Sequence, residues 1–120
     1  MKATELRIGN LIFQLGQITT IENISRSIND WERVNNKRLF DCTPIPITEE
    51  WLLKFGFTLY PSGSYCIDLF NTDNYLAFDI KYNKGFVYLN IETESIKIDC
   101  HYVHQLQNLY FALTGEELTI

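Results

Sequence analysis

The sequence predicts an α+β protein: an N-terminal SH3-like β-lobe, then a helix, an antiparallel β-meander and a C-terminal covering helix. Three observations predict it. Aromatic residues make up 14% of the 120 residues, a share suited to pleated, half-buried strands. Short runs of alternating apolar and polar residues recur, punctuated by Gly, Asn, Asp and Pro. Two stretches, near 48–56 and 102–114, replace that period with helix-start signals or with an apolar stripe at helical spacing.

In chain order, Gly9-Asn10 reads as a bend and Leu11 to Leu15 as an apolar strand. Gly16 permits a sharp reversal because it has no Cβ to clash at positive φ. Ile18, Thr20 and Glu22 alternate with Thr19, Ile21 and Asn23 as a second strand. Residues 29–41 read as a hairpin with Asn35-Asn36 at its tip, since Asn tolerates the positive φ of a two-residue turn. Four short strands with tight turns suggest the SH3-like lobe, residues 1–47. Pro44-Ile45-Pro46-Ile47 is a stiff extended connector. Thr48 is a helix N-cap, followed by Glu49 and Glu50 where the helix dipole favours negative charge. Ile47 staples onto Leu52, Trp51, Leu52 and Phe55 form the buried stripe, and Gly56 stops the helix.

The remainder, residues 48–120, forms a second part or continues one domain. Its strands fall near 57–60, 64–70, 75–82, 86–92 and 95–100. Turns are expected at Pro61-Ser62-Gly63, Thr72-Asp73-Asn74, Asn83-Lys84-Gly85 and Thr93-Glu94. Leu76, Phe78, Ile80 and Tyr82 share one face, and Tyr75, Ala77, Asp79 and Lys81 the other. Val87, Leu89 and Ile91, then Ile96, Ile98 and Cys100, continue the apolar face. A one-sided sheet needs a cover. The last helix supplies it through Tyr102, Val103, Leu106, Leu109, Tyr110 and Leu113, while His104, Gln107, Asn108 and Phe111 point elsewhere.

Composition narrows the function. The net charge of −5 argues against a general nucleic-acid coat, because phosphate affinity comes mainly from clustered Lys and Arg. The acid is concentrated late: residues 48–120 carry ten acidic and four basic side chains, against five and six in residues 1–47. Cys42, Cys66 and Cys100 are odd in number and widely spaced, which reads as reduced thiols in a cytoplasm rather than a disulfide framework. The first residues lack the apolar run of a signal peptide, and no stretch approaches the ~20 apolar residues of a membrane span.

Few residues suggest chemistry. Cys100, His101 and His104 are the one metal-like cluster, with Asp99 nearby. Zinc needs about four convergent ligands, usually from two segments. Without a second cluster, the plain reading is a buried strand-end thiol beside two ordinary surface histidines, with no metal and no cofactor. A Cys–His nucleophile would need an exposed thiol, and Cys100 falls at a core-facing position. Asp68, Asp73, Asp79, Glu92, Glu94 and Asp99 lie in strand ends and turns without paired spacing. Phosphate loops and metalloprotease or serine-hydrolase signatures are absent from the sequence. Arg26, Arg33, Lys37 and Arg38, with Trp31 and Phe40 among them, make a basic-aromatic patch that suits a charged sheet edge, a protein partner or stacked bases. Phe111 lies nearly opposite the predicted buried stripe of its helix.

Glu5 to Asn10 (ELRIGN), Pro44 to Phe57 (PIPITEEWLLKFGF) and Tyr102 to Leu118 (YVHQLQNLYFALTGEEL) form an ordered set of anchors. With them the chain resembles small uncharacterised proteins of Bacteroides-group bacteria and their phages and prophages. No established activity travels with that resemblance. It implies a context: an accessory protein of a mobile element or its host, in a bacterial cytoplasm.

The expected function is that of a non-catalytic interaction protein, of phage, prophage or mobile-element origin, which modulates a host protein in counter-defence. Trp31, Arg33, Lys37, Arg38, Phe40 and Phe111 are the expected partner-binding residues, and a homodimer is a further expectation. One alternative is a small-molecule or nucleotide-binding module, with Tyr65, Phe86, Tyr88 and the basic hairpin lining a pocket. A second is single-stranded nucleic-acid binding.

Overall fold

The computed structural model describes residues 5–26, 32–35, 37–38, 42–69, 73–79, 85–92 and 94–120, with the backbone alone at 25, 26, 32, 37 and 38. The chain is α+β. It divides into two compact units: residues 1–46 with 102–109, and residues 47–101 with 110–120. Residues 102–109, assigned by sequence to the meander's cover, therefore cluster with the N-terminal part.

The first unit holds β1 (Leu11–Gln14), β2 (Gln17–Thr20), β3 (Ile24–Arg26), β4 (Glu32–Val34), β5 (Lys37–Arg38) and β6 (Cys42–Thr43). They form two three-stranded antiparallel sheets, ordered β2-β1-β6 and β3-β4-β5. Among the described residues six strands appear where four were expected, because β3 and β6 are too short to carry a legible alternation. Gln14 pairs with Gln17, so Leu15 belongs to the turn with Gly16 rather than to the strand. Val34 pairs with Lys37 and Asn35 takes φ 51°, as expected of the first residue of the turn, while Asn36 lies outside the described residues. Leu6, Ile12, Ile21, Val34 and Cys42 make the core of this unit.

The second unit begins with α1 (Glu49–Lys54). Thr48 Oγ1 accepts from the Trp51 N–H at 3.4 Å. The far end is a Schellman motif: the Gly56 N–H donates to the Leu53 carbonyl and the Phe57 N–H to the Leu52 carbonyl, with Gly56 at φ 94°. The meander follows as β7 (Thr58–Leu59), β8 (Tyr65–Asp68), β9 (Tyr75–Phe78), β10 (Phe86–Ile91) and β11 (Glu94–Asp99), in the order β11-β10-β9-β8-β7. Tyr65, Leu76, Phe78, Val87 and Leu89 are buried on its inner face. The Phe57 ring packs edge-on against Phe78. Ile80 and Tyr82 lie outside the described residues. Ile96, expected in the core, is 45% exposed, because β11 is the edge strand. Ile91 pairs with Glu94, so Glu94, expected in the last turn, belongs to β11, while Thr93 lies outside the described residues.

Helix α2 (Val103–Thr114) contributes to both units. Gln105 Oε1 reaches back to the Tyr102 N–H, as the third residue of a capping box does. His104 and Gln107 are buried, a correction to the expected stripe. Gln107 and its neighbour Asn108 serve an interface made of hydrogen bonds rather than of apolar side chains alone. Gln107 Oε1 accepts from the Leu11 N–H at 2.8 Å, and its Nε2 donates to the Gly9 carbonyl. Asn108 Oδ1 accepts from Asn10 Nδ2 and Arg7 Nε, and its Nδ2 donates to the Glu5 carbonyl. The Gly9-Asn10 bend is thus locked onto the helix, with Asn10 fully buried.

Candidate functional site

The outer face of the meander carries an open groove lined by described residues. Alternation sends every second side chain outward, and the register aligns these in two rows. One row crosses all five strands: Thr58, Cys66, Ala77, Tyr88, Lys97. The other runs Asp68, Tyr75, Asn90, Ser95. Ala77 is the smallest of these and sits on the central strand, so the face is hollowed there. The turn after β7 (Tyr60 to Ser64) and Asp73 add the walls. The result is an open groove of about 780 Å³. That volume suits a small organic ligand, since such sites typically span about 300–1,000 Å³.

The lining is polar and aromatic. Tyr60, Tyr75 and Tyr88 supply rings, while Ser62, Ser64, Ser95, Asn90, Asp68 and Asp73 supply hydrogen-bonding groups. Cys66 is half-buried in the groove, and its thiol is pushed up first by burial and then by the negative charge of Asp68. It is therefore held as the thiol, the poorly nucleophilic form. Of the pocket residues expected from sequence, Tyr88 lines the groove. Phe86 lies on the same face beside it, with Lys97 Nζ 3.8 Å from its ring centroid. Tyr65 is buried on the opposite face.

The other predicted site residues are distributed as follows. Cys100 is buried, with its thiol pushed up by burial to about 12. His101 is exposed and covers Gly85 so closely that a Cβ there would lie 2.6 Å from the His101 Nδ1. His104 is buried in the first unit, stacked on Tyr102, with Nε2 3.9 Å from Glu5 Oε2. Neither ring nitrogen has a hydrogen-bond partner among the described residues, and burial holds the ring below the usual histidine range, with Glu5 opposing in part. No group of three or more His, Cys, Asp and Glu among the described residues is placed to hold a metal ion.

Arg33 is half-buried on β4 and faces Arg38 of β5 in the backbone register, as Val34 faces Lys37. Trp31 and Phe40 lie outside the described residues. Phe111 is 39% exposed on α2. No described helix is long and apolar enough to cross a membrane. The fold and groove together define a class, a small α+β protein with an open polar-aromatic sheet face. No family model, curated protein or solved structure matches the chain.

Sequence reasoning missed the groove. Its signal was present in the outward positions of the meander, where Tyr75 and Tyr88 occupy places that a plain solvated face fills with Lys, Glu or Thr.

Proposed function

We propose that this chain is a binding protein without chemistry of its own, and that the outer face of its five-stranded sheet holds a small polar ligand. The observation that carries the reading is the pair of cross-strand rows hollowed at Ala77 and walled by three tyrosines. Rings provide contact area at low entropic cost, and the serines, Asn90 and the two aspartates orient a ligand through hydrogen bonds. A thiol held protonated favours recognition over nucleophilic catalysis at this face. Among the described residues no Lys, Arg or His lines the groove, which disfavours a nucleotide as its occupant. The resemblance to small proteins of Bacteroides-group bacteria and their phages supports an accessory role in a bacterial cytoplasm.

The test is a thermal-shift screen of polar metabolites against the wild type and Ala77→Phe, which fills the hollow from the outer face without entering the core. A ligand at 100 times its Kd adds about 2.7 kcal/mol of stability. A metabolite that raises Tm by several degrees in the wild type and leaves Ala77→Phe unmoved supports the reading. A library that moves neither protein contradicts it.

A second reading, modulation of a host protein through the N-terminal unit, is favoured by one observation. Leu15 holds φ 53° at a hairpin tip with its side chain 60% exposed, next to Ile18 at 51%. A non-glycine residue there costs about 1 kcal/mol, and exposed apolar side chains give nothing back to the fold. Leu15→Gly is expected to raise stability by about that amount in urea melts and to abolish capture of a host protein. Unchanged capture contradicts this reading.

A further inference from the structure

The groove is chemically one-sided. Its charged members are Asp68 and Asp73, and neither has an ion-pair partner among the described residues. Tyr75 faces Asp68 across β8 and β9, and Tyr60 and Tyr88 line the same space. A ring face attracts a cation through its quadrupole, and a carboxylate neutralises the cation's charge. The same carboxylates repel phosphate, sulfate and carboxylate ligands. This sheet face already carries one such pairing, the Lys97 ammonium over the Phe86 ring. The surrounding sequence is acidic as well, with ten acidic against four basic residues in 48–120, so a cation is drawn toward it from solution.

From these features we infer that the groove takes an organic cation of the aliphatic polyamine class. Its ammonium groups meet Asp68 and Asp73, and its methylenes lie on the tyrosine rings. The open, elongated character of two rows crossing a sheet suits a linear chain of spaced charges better than a single compact ion. The serines and Asn90 accept the remaining N–H groups through their oxygens. This inference rests on the groove being a ligand site, and the experiment separates the two claims.

Cys66 is the reporter. It is the half-buried thiol within the groove, whereas Cys42 and Cys100 are buried. The rate of Cys66 alkylation in the intact protein is measured with spermidine, maltotriose or sodium triphosphate, in the wild type and in the double variant Asp68→Asn, Asp73→Asn. Rates with and without probe are compared within each protein, because Asp68 itself tunes the thiol. Spermidine is expected to slow labelling saturably, to lose affinity as salt is raised, and to bind the double variant roughly tenfold more weakly, about 1.4 kcal/mol. Protection by maltotriose or triphosphate but not by spermidine overturns the polyamine assignment and leaves the groove a ligand site. Equal protection by spermidine in both proteins also overturns it. If no probe changes the rate, the polyamine assignment fails. The broader reading then falls only if the metabolite screen moves neither the wild type nor Ala77→Phe. Calorimetric titration with spermidine checks that loss of protection is loss of binding.

Discussion

Gln107 shows how much one side chain can hold in a small protein. It is 2% exposed, accepts from the Leu11 N–H and donates to the Gly9 carbonyl. Truncation would remove two part-buried hydrogen bonds. Gln107→Ala is expected to cost about 1–3 kcal/mol in urea unfolding, at about 0.5–1.5 kcal/mol for each bond lost. Asn35 works in the same way on the other side of that unit. Its Oδ1 accepts from the Glu22 and Asn23 N–H groups, and its Nδ2 donates to Gln14 Oε1 and the Thr20 carbonyl. Asn35→Gly keeps the positive φ and loses the bonds, so that variant is expected to lose stability in urea melts through the lost bonds together with the greater freedom of glycine in the unfolded chain. The sequence made Asn35 legible as a turn former because the αL preference of Asn is local. Its hydrogen bonds to the residue 20–23 segment were not legible, since they depend on a tertiary fold that no spacing encodes. His104, Gln107 and Asn108 were misread for a related reason. Polar residues on a helix are ordinarily solvated, and nothing local distinguishes one that docks a bend.

At the scale of elements, legibility followed local completeness. Helix α1 carries its cap, its acidic first turn and its glycine stop within nine residues, and all three act as read. Gly56→Ala is expected to cost about 1 kcal/mol, because a Cβ is strained at φ 94° although no atom obstructs it. Gly85→Ala is expected to cost more, since it meets the same strain at φ 93° and the His101 ring as well. Chemical denaturation of the two variants side by side checks the order. The meander's alternation separated inner from outer residues on β9 and on β10 as far as Leu89, but Ile91 at the end of β10, expected inside, is 37% exposed. It failed at Ile96, because the period names a face but says nothing of how deeply an edge strand is covered. The candidate site was only partly legible at this scale: Tyr88 was expected in a pocket with Tyr65 and Phe86, and only the register reveals that it adjoins Ala77, Cys66 and Tyr75 instead.

For the whole molecule, the acid response follows from His104. Burial lowers its pKa in the folded state below the ordinary 6.5, so the unfolded chain binds the proton more readily. The stability contributed by the neutral ring is present above about pH 6.5 and is lost as pH falls from there through the folded pKa. His104→Leu is expected to flatten this part of the pH–stability curve, read as urea midpoints between pH 7.5 and 5. An unchanged slope would assign the acid sensitivity to another group. Cys100 has no part in it, because its thiol titrates near 12.

The central claim in its specific form, that the outer sheet face is a groove for an aliphatic polyamine, is tested most directly by amide chemical-shift mapping with spermidine in nitrogen-15-labelled protein. The account predicts saturable shifts at Cys66, Asp68, Tyr75, Ala77, Tyr88 and Asn90, with Leu11 and Gln107 unmoved. Shifts confined to Leu11, Leu15 and Ile18, or scattered over the acidic surface without saturation, would contradict it.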